Sequence, residues 1–175
     1  MIGLYAVSCV DYFTYDKASP RVAALLAGKL QEAYAGLKVE HIGSTAVPGC
    51  AGRGIIDLLV LYKSGTLEEA QNALERLGFQ VQDSPEPFLD GRPILVGTVE
   101  YLGRTYSVHA HVREAVSAEV PELVKFRDLL RANAGLRLAY EMEKRGILAR
   151  GHRLNPQYAK GKSDFIRHVL NADRF

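Results

Sequence analysis

The chain has 175 residues, of which 47% are hydrophobic and 24% are charged, and its formal net charge is +2. These totals are typical of one soluble globular domain, and they disfavour nucleic acid as a partner because basic residues are not in large excess. Two cysteines, Cys9 and Cys50, are too few for a disulfide framework. No apolar run approaches the roughly 20 residues of a membrane span and no signal peptide is recognisable, so we expect a cytoplasmic protein without a membrane partner.

The first third of the chain predicts an N-terminal strand, a helix and two further strands. The helix covers residues 19–37, with Ser19 as its N-cap. Residues 38–42 predict a strand that ends at Gly43, and residues 55–62, IIDLLVLY, predict a buried strand because they are almost all apolar.

The middle of the chain begins with the clearest helical pattern, at residues 66–79. Thr66 and Glu69 have the spacing of a capping box, and Gly78 predicts a left-handed stop. The pattern then predicts a short strand at 79–82, a loop at 83–93, and an antiparallel hairpin formed by 94–102 and 105–112 through Gly103-Arg104.

Beyond residue 112 the hydrophobic periodicity is helical. Three helices are predicted, at residues 121–133, 135–148 and 155–172, the last with Asn155 as its cap. The basic run at 144–153, KRGILARGHR, is interpreted as a solvated loop. The order of elements predicts an α+β fold in a single domain, with a mixed-sheet core at 1–112 and a helical subdomain at 113–175.

A glycine-serine turn and a single carboxylate form the first candidate site. Gly43, Ser44 and Thr45 follow a strand, where backbone N–H groups and hydroxyls can hold a phosphate, although such turns are also common without one. Asp57 lies within the apolar run of the next strand. A carboxylate buried there costs several kcal/mol unless it is paired, hydrogen-bonded or bound to a cation.

Two histidines add a second candidate element. His109 and His111 alternate with apolar residues in TYSVHAHV, so they point to the same face of a strand. With a carboxylate on a neighbouring strand they can share a divalent cation, and Asp57, His109 and His111 are therefore the candidate metal ligands. The alternative is a solvated polar face on an edge hairpin.

Cationic residues at four-residue spacing mark two helix faces. Arg127 and Arg131 share one face, and Tyr158 and Lys162 share another. Arginine forks suit phosphate oxygens, although a solvated helix face is the commoner explanation for such pairs.

Taken together, these motifs resemble the GrpB family and, more distantly, the nucleotidyltransferase (DNA polymerase β-like) superfamily. The resemblance runs from about residue 39 to residue 169. It is carried by EHIGSTAVPG, IIDLLV, HAHV, FRDLLR, YEMEK and the spacing in YAKGKSDF. The chain departs from the family in having Arg53-Gly54 where Lys-Pro is usual before the strand, and in having no Trp.

The resemblance implies a nucleotidyltransferase-like core with a triphosphate site. In catalytic superfamily members, acids on two strands hold two divalent cations. Carried over, Gly43 and Ser44 would hold phosphate, with Asp57 and His111 as catalytic residues. The second acid is expected two residues after Asp57, where this chain has Leu59. The candidate nucleotide-binding residues are Gly43, Ser44, Thr45, Arg53, Arg127, Arg131, Tyr158 and Lys162.

Three functions follow from this sequence. The first is a nucleotidyltransferase-like protein that binds a nucleoside triphosphate, or another phosphate-bearing small molecule, with Mg²⁺ or Mn²⁺ and transfers a nucleotidyl group to a small acceptor. The second is a non-catalytic nucleotide- or coenzyme-binding module that has lost the second acid. The third is a hydrolase that uses one metal held by aspartate and histidine.

Overall fold

The computed structural model describes residues 1–5, 11–82, 92–152 and 155–172, with side chains omitted at 155 and 156. A 3₁₀ turn, Ser44–Ala46, follows the first strand of the sheet. The remaining elements are α1 (Ser19–Ala33), β1 (Lys38–Ile42), β2 (Ile56–Tyr62), α2 (Leu67–Arg76), β3 (Gln80–Val81), β4 (Ile94–Tyr101), β5 (Arg104–Glu114), α3 (Glu119–Ala132), α4 (Ala134–Ala149) and α5 (Asn155–Ala172).

The strands form one mixed sheet in the order β1-β2-β5-β4-β3. β2 and β5 run parallel in the middle, and the other neighbouring pairs are antiparallel. The parallel register sets Asp57 opposite His109 and Leu59 opposite His111. The α+β fold predicted from the sequence is therefore confirmed.

One face of the sheet packs against α1 and α2. Side chains that alternate along the two central strands point to this side, as the period of a strand requires. They form a continuous buried cluster with the helices, including Leu26, Leu30, Leu58, Val60, Leu74, Val108 and Ala110. This layer is the main hydrophobic core.

The opposite face of the sheet changes character along β2. Leu59 and Leu61 are buried with Ile42 against apolar side chains of α3. Asp57 lies on the same face near the beginning of the strand, where this apolar cover stops. Helices α3, α4 and α5 pack together around a second cluster, formed by Val47, Cys50, Phe126, Leu130, Tyr140 and Leu170.

Of two predicted helix caps, one is wrong in position and the other lacks the expected side-chain hydrogen bond. Ala18, not Ser19, is the N-cap of α1, and Ser19 is buried as the first residue of the helix. Asp16 Oδ1 accepts from the Ala18 backbone N–H at 2.9 Å, so an upstream carboxylate orders this end. Thr66 is the N-cap of α2, but its hydroxyl donates to the Lys63 carbonyl at 2.9 Å and makes no cap bond.

The hairpin is confirmed with a shifted turn. Leu102 and Gly103 both have positive φ, 49° and 73°, as a two-residue hairpin turn of the common twisted type requires. Arg104 already pairs with Tyr101, so the predicted Gly103-Arg104 connection is one residue too late. The left-handed stop at Gly78 is confirmed, with φ of 99°.

Parts of other predictions lie outside the described residues. The N-terminal strand reduces, within residues 1–5, to one isolated bridge between Gly3 and Thr98. Most of the predicted loop at 83–93, Cys9 and the cap at Asn155 are not described. In the described ranges, none of the helices is both long and apolar enough to cross a membrane.

Candidate functional site

A cleft of about 620 Å³ lies between the polar part of the sheet and the three C-terminal helices. Gly43 and the central strands line its sheet side, and α3, α4 and α5 line the other. The candidate residues that reach it are Gly43, Arg53, Asp57, His109, His111, Arg127, Tyr158 and Lys162. Sequence positions far apart therefore meet in one opening.

Asp57 is the carboxylate at the sheet side of the cleft. Its side chain is 20% exposed, and Oδ1 accepts a hydrogen bond from His111 Nε2 at 3.1 Å. Burial alone would raise the pKa of Asp57, but the hydrogen bond from His111 and the positive charge nearby outweigh it, so the pKa lies well below its ordinary value. Asp57 is therefore ionised at neutral pH and can serve as an anionic ligand.

Gly43 brings the main chain directly against this carboxylate. Its φ of 73° lies in the left-handed region that favours glycine. A Cβ at this position would also overlap with Asp57 Oδ2. Both the turn and the close approach to Asp57 thus require glycine.

Ser44 and Thr45 follow Gly43 but point elsewhere. A Cβ at Gly52 would overlap with Ser44 Oγ and would lie 3.2 Å from Lys144 Nζ, so Ser44 faces the 52 segment. Thr45 is buried, and its hydroxyl donates to the Ile55 carbonyl at 2.9 Å. The Thr45 hydroxyl thus ties the turn to Ile55, and neither Ser44 nor Thr45 lines the cleft.

A partly buried histidine also supports this turn. His41 Nε2 lies 3.0 Å from Thr45 Oγ1. Since the Thr45 proton goes to the Ile55 carbonyl, the ring nitrogen donates and the threonine oxygen accepts. Burial lowers the pKa of His41 to about 4, so the ring is neutral at physiological pH.

His109 and His111 share one face of β5, as the strand alternation predicted, and both lie beside Asp57. One ligand atom from each of the three side chains can be chosen so that all lie within 4.8 Å of one another. His109 is buried, a hydrogen bond of 2.9 Å joins its Nε2 to the Tyr5 hydroxyl, and burial lowers its pKa to about 4. A neutral imidazole, a second imidazole and a carboxylate together form a donor set suited to a divalent cation.

Arg53 and Lys162 form a cationic wall of the cleft that also contains Asp57 and the two histidines. The Arg53 guanidinium lies 5.4 Å from the centroid of the buried Tyr158 ring, and Lys162 Nζ lies 4.9 Å from it. Burial, together with the charge of Arg53, lowers the pKa of the Lys162 ammonium group to about 8. Positive charge held in a partly buried cleft suits an anionic ligand.

Arg127 and Arg131 have protein partners of their own. Arg127 donates to Glu40 Oε2 and to the His41 carbonyl, each at 3.0 Å, and pairs with Asp128 at 2.8 Å. Arg131 donates to the Ala46 carbonyl at 3.0 Å and lies outside the cleft lining. These contacts tie α3 to β1 and to the turn.

The sequence patterns do not indicate Lys144 as a site residue, because the basic run at 144–153 is interpreted as a solvated loop. That interpretation is wrong for residues 144–149, where α4 continues to Ala149 in line with the helix predicted over 135–148, and Lys144 is 2% exposed. Its Nζ donates to the Ala51 carbonyl, lies 3.6 Å from Cys50 Sγ and lies 4.4 Å from the Tyr140 ring centroid. The signal was the spacing of Tyr140, Lys144 and Ile147, which places the lysine on the buried stripe of α4.

Tyr5 is a second residue that the sequence did not indicate. It reaches the site through its bond to His109 and an edge-on ring contact with 5.3 Å between centroids. No local pattern near residue 5 predicts a partner 104 positions away, so only the folded chain shows this contact.

Relatives of known sequence cover most of the chain. Residues 10–172 match the family model for the GrpB protein. A UPF0157 protein of Streptomyces coelicolor is 39% identical over 133 residues, which are 75% of this chain and 66% of that protein. A UPF0157 protein of Halalkalibacterium halodurans is 27% identical over 157 residues, which are 89% of this chain and 74% of that protein. The chain thus spans only part of the length of these relatives.

Two solved structures are similar to this chain in their fold. The conserved protein GrpB from Enterococcus faecalis matches 93% of this chain and 96% of its own with a TM-score of 0.73 and 26% identity. The Cid1 poly(U) polymerase with Mg 3′-dATP bound matches 73% of this chain and 41% of its own with a TM-score of 0.51 and 12% identity. The second match shows a shared, nucleotidyltransferase-like fold and nothing further. By the family model and these relatives, the chain belongs to the GrpB family.

Proposed function

We propose that this protein binds a nucleoside triphosphate with a divalent cation in the cleft and transfers a nucleotidyl group to a small acceptor. The observation that carries the proposal is the convergence of Gly43, Asp57, His111 and Lys162 on one opening. A carboxylate beside a close-approaching glycine backbone and a cationic wall is the combination that a metal-bound phosphate chain needs. The Cid1 poly(U) polymerase, which shares the fold, has structures with MgGTP and Mg 3′-dATP bound, and this supports a nucleotide as the ligand class.

Each residue has a distinct part in this function. Asp57, with His109 and His111, holds the cation, which when bound neutralises phosphate charge and polarises the attacking oxygen. Gly43 lets the phosphate chain approach the backbone because it has no side chain of its own. Arg53 and Lys162 attract the phosphates. The Tyr158 ring orients these two side chains through contacts with the guanidinium and ammonium groups.

Isothermal titration with a panel of nucleoside triphosphates, each with Mg²⁺, with Mn²⁺ and with Zn²⁺, tests the binding step. We expect one nucleotide to bind, and Asp57→Asn to weaken that binding at least tenfold because the anionic ligand is lost. Glu75→Gln is the matched acid-to-amide control, since Glu75 is exposed on α2 across the sheet. No binding by any nucleotide with any of these three cations would refute the proposal.

A non-catalytic binding module is the second candidate. Leu59 favours it, because this residue at the second-acid position is 0% exposed and supplies no oxygen ligand. Pyrophosphate release separates the two functions. Nucleotide binding that Asp57→Asn abolishes, without pyrophosphate release across a panel of small alcohol and amine acceptors, would favour the binding module.

A further inference from the structure

The ligands around Asp57 do not fit the two-acid arrangement of catalytic nucleotidyltransferases. Leu59 packs with Ile42 and Leu61 under α3, so no carboxylate oxygen faces the cleft from that position. On the neighbouring strand, His109 and His111 are opposite Asp57 and Leu59. Among the described residues, the ligand atoms that lie close together around Asp57 are therefore one carboxylate and two imidazoles instead of several oxygens.

We propose that Asp57, His109 and His111 form a mononuclear site that selects a first-row transition metal ion of the Zn²⁺ class over Mg²⁺. This deepens the proposed function, because it names the cation of the same cleft. Imidazole nitrogen suits Zn²⁺, Fe²⁺, Co²⁺ and Ni²⁺, whereas Mg²⁺ prefers an octahedral shell of oxygen ligands and water. Two nitrogens in a set of three remove most of the basis for magnesium affinity.

The backbone holds the three side chains in place. Asp57 and His109 are register partners on parallel strands, and His111 is two residues along the same strand. His111 Nε2 and Asp57 Oδ1 are 3.1 Å apart. Two ligands of one zinc ion with bonds of about 2.0–2.1 Å are themselves about 3.0–3.4 Å apart, so this pair already has the required spacing.

Tyr5 supplies the outer contact that metal-binding histidines usually have. Its hydroxyl is joined to His109 Nε2 at 2.9 Å and orients the ring. Partners of this kind fix the tautomer and the orientation of a ligating histidine, and their loss commonly lowers metal affinity 10- to 100-fold. Tyr5 is thus a positioning residue of the site and not a ligand.

The remaining coordination positions open toward the cleft. Asp57 and His111 keep 20% and 23% of their side chains exposed, so an ion can enter from that side. One carboxylate with a dication leaves a net positive centre, next to Arg53 and Lys162 on the cleft wall. An anionic oxygen is the exogenous ligand that this charge arrangement favours.

Metal binding to the tag-free, chelator-treated full chain tests the proposal. Zn²⁺, Co²⁺, Mn²⁺ and Mg²⁺ are each titrated in competition with a chromophoric chelator, without nucleotide. We expect one Zn²⁺ per chain, bound at least 100-fold more tightly than Mg²⁺, and a Co²⁺ absorption spectrum typical of mixed nitrogen and oxygen ligands. Comparable affinity for Mg²⁺, or no stoichiometric Zn²⁺ binding, would overturn the inference.

Variants assign the site. Asp57→Asn and His111→Gln should each lower Zn²⁺ affinity at least 100-fold, and Tyr5→Phe should lower it about tenfold. His168→Gln is the matched control, because His168 is exposed on α5. Circular dichroism checks that each variant is folded, and His109→Gln replaces any that is not. Unchanged Zn²⁺ affinity in all folded ligand variants, or an equal loss in His168→Gln, would contradict the assignment.

The metal site and the proposed function can fail separately. Tight Zn²⁺ binding with no nucleotide binding in the presence of Zn²⁺, Mn²⁺ or Mg²⁺ would support the site and refute the nucleotide proposal. Nucleotide binding that depends on Mg²⁺, in a chain that does not bind Zn²⁺, would do the reverse.

Discussion

The two faces of the sheet have different roles: one forms the main hydrophobic core, and the other combines apolar packing with the candidate site. Under α1 and α2 the central strands present an unbroken apolar layer that includes Leu58 and Val60. On the other face, Asp57 and Leu59 are only two residues apart, yet one lines a cleft and the other is sealed under α3. The same strand thus contributes stability to one side, and both stability and a candidate site to the other.

The largest expected effect comes from restoring the second acid. Leu59→Asp places a carboxylate in an apolar cluster, on the same face as Asp57, and should lower the free energy of unfolding by about 4 kcal/mol or more. Millimolar Mg²⁺ should recover part of this loss, because two acids can share a cation. Urea denaturation with and without Mg²⁺ measures both effects.

The matched control for this substitution is Leu59→Asn, which has a similar size and no charge. It should also be destabilised, and Mg²⁺ should leave it unchanged. Equal recovery by Mg²⁺ in both variants would show that the ion does not bind between residues 57 and 59.

Leu58→Ala tests the apolar face alone. Leu58 is fully buried in the main core, so the variant should lose about 3 kcal/mol of unfolding free energy through lost packing and a residual cavity. Because its side chain points away from the cleft, Zn²⁺ affinity of the folded variant should stay within a factor of two. A large loss of metal affinity would show that the two faces are coupled.

The sequence predicts local periodicity on both faces better than it predicts contacts between distant elements. Hydrophobic runs and alternation were sufficient for β2, for the hairpin and for the same-face placement of His109 and His111, because the period of a strand is local. They did not predict the burial of Lys144 or the contact of Tyr5 with His109, which depend on how distant elements pack. Arg127 shows the same limit: its helix face was predicted, but its bond to Glu40 was not.

The side-chain cap predicted for α2 does not form, and the contact that competes with it is not visible in the sequence pattern. A threonine before a helix is a good N-cap candidate, yet the Thr66 hydroxyl has a competing acceptor in the Lys63 carbonyl. At Leu59, by contrast, the sequence shows the unusual residue and the structure supplies the reason for it. Its departure from the two-acid pattern was visible in the sequence, but only the packing under α3 shows that the position belongs to the apolar part of the face.

Gly43→Ala is expected to lower both the stability of the fold and the affinity of the site for Zn²⁺. A φ of 73° and overlap of the new Cβ with Asp57 Oδ2 should together cost about 2 kcal/mol of unfolding free energy. The displaced carboxylate should also weaken Zn²⁺ binding. Thermal denaturation and metal titration measure the two effects.

Gly65→Ala is the control for the backbone strain in Gly43→Ala. Gly65 has φ of 82° with open space around its Cβ position, so it shares the strain without the overlap. It should therefore lose stability and leave metal affinity unchanged. Equal metal affinities in the two alanine variants would remove the argument that Gly43 shapes the site.

The smallest expected effect is a dependence of anion affinity on pH. The pKa of Lys162 is lowered to about 8, so its ammonium group is mostly charged at pH 7 and mostly neutral at pH 9. An anion prefers the charged form, and its affinity should therefore fall roughly tenfold between pH 7 and pH 9, a change of about 1.4 kcal/mol.

Titration with the nucleotide found to bind, or with inorganic triphosphate, measures this change in affinity. The Lys162→Met variant should bind the anion weakly, and its affinity should depend much less on pH. Lys160→Met, two residues away and exposed on the same helix, should keep the wild-type profile. If Lys162→Met retained the full pH dependence, another group would control anion affinity and the cationic wall would lose its proposed role.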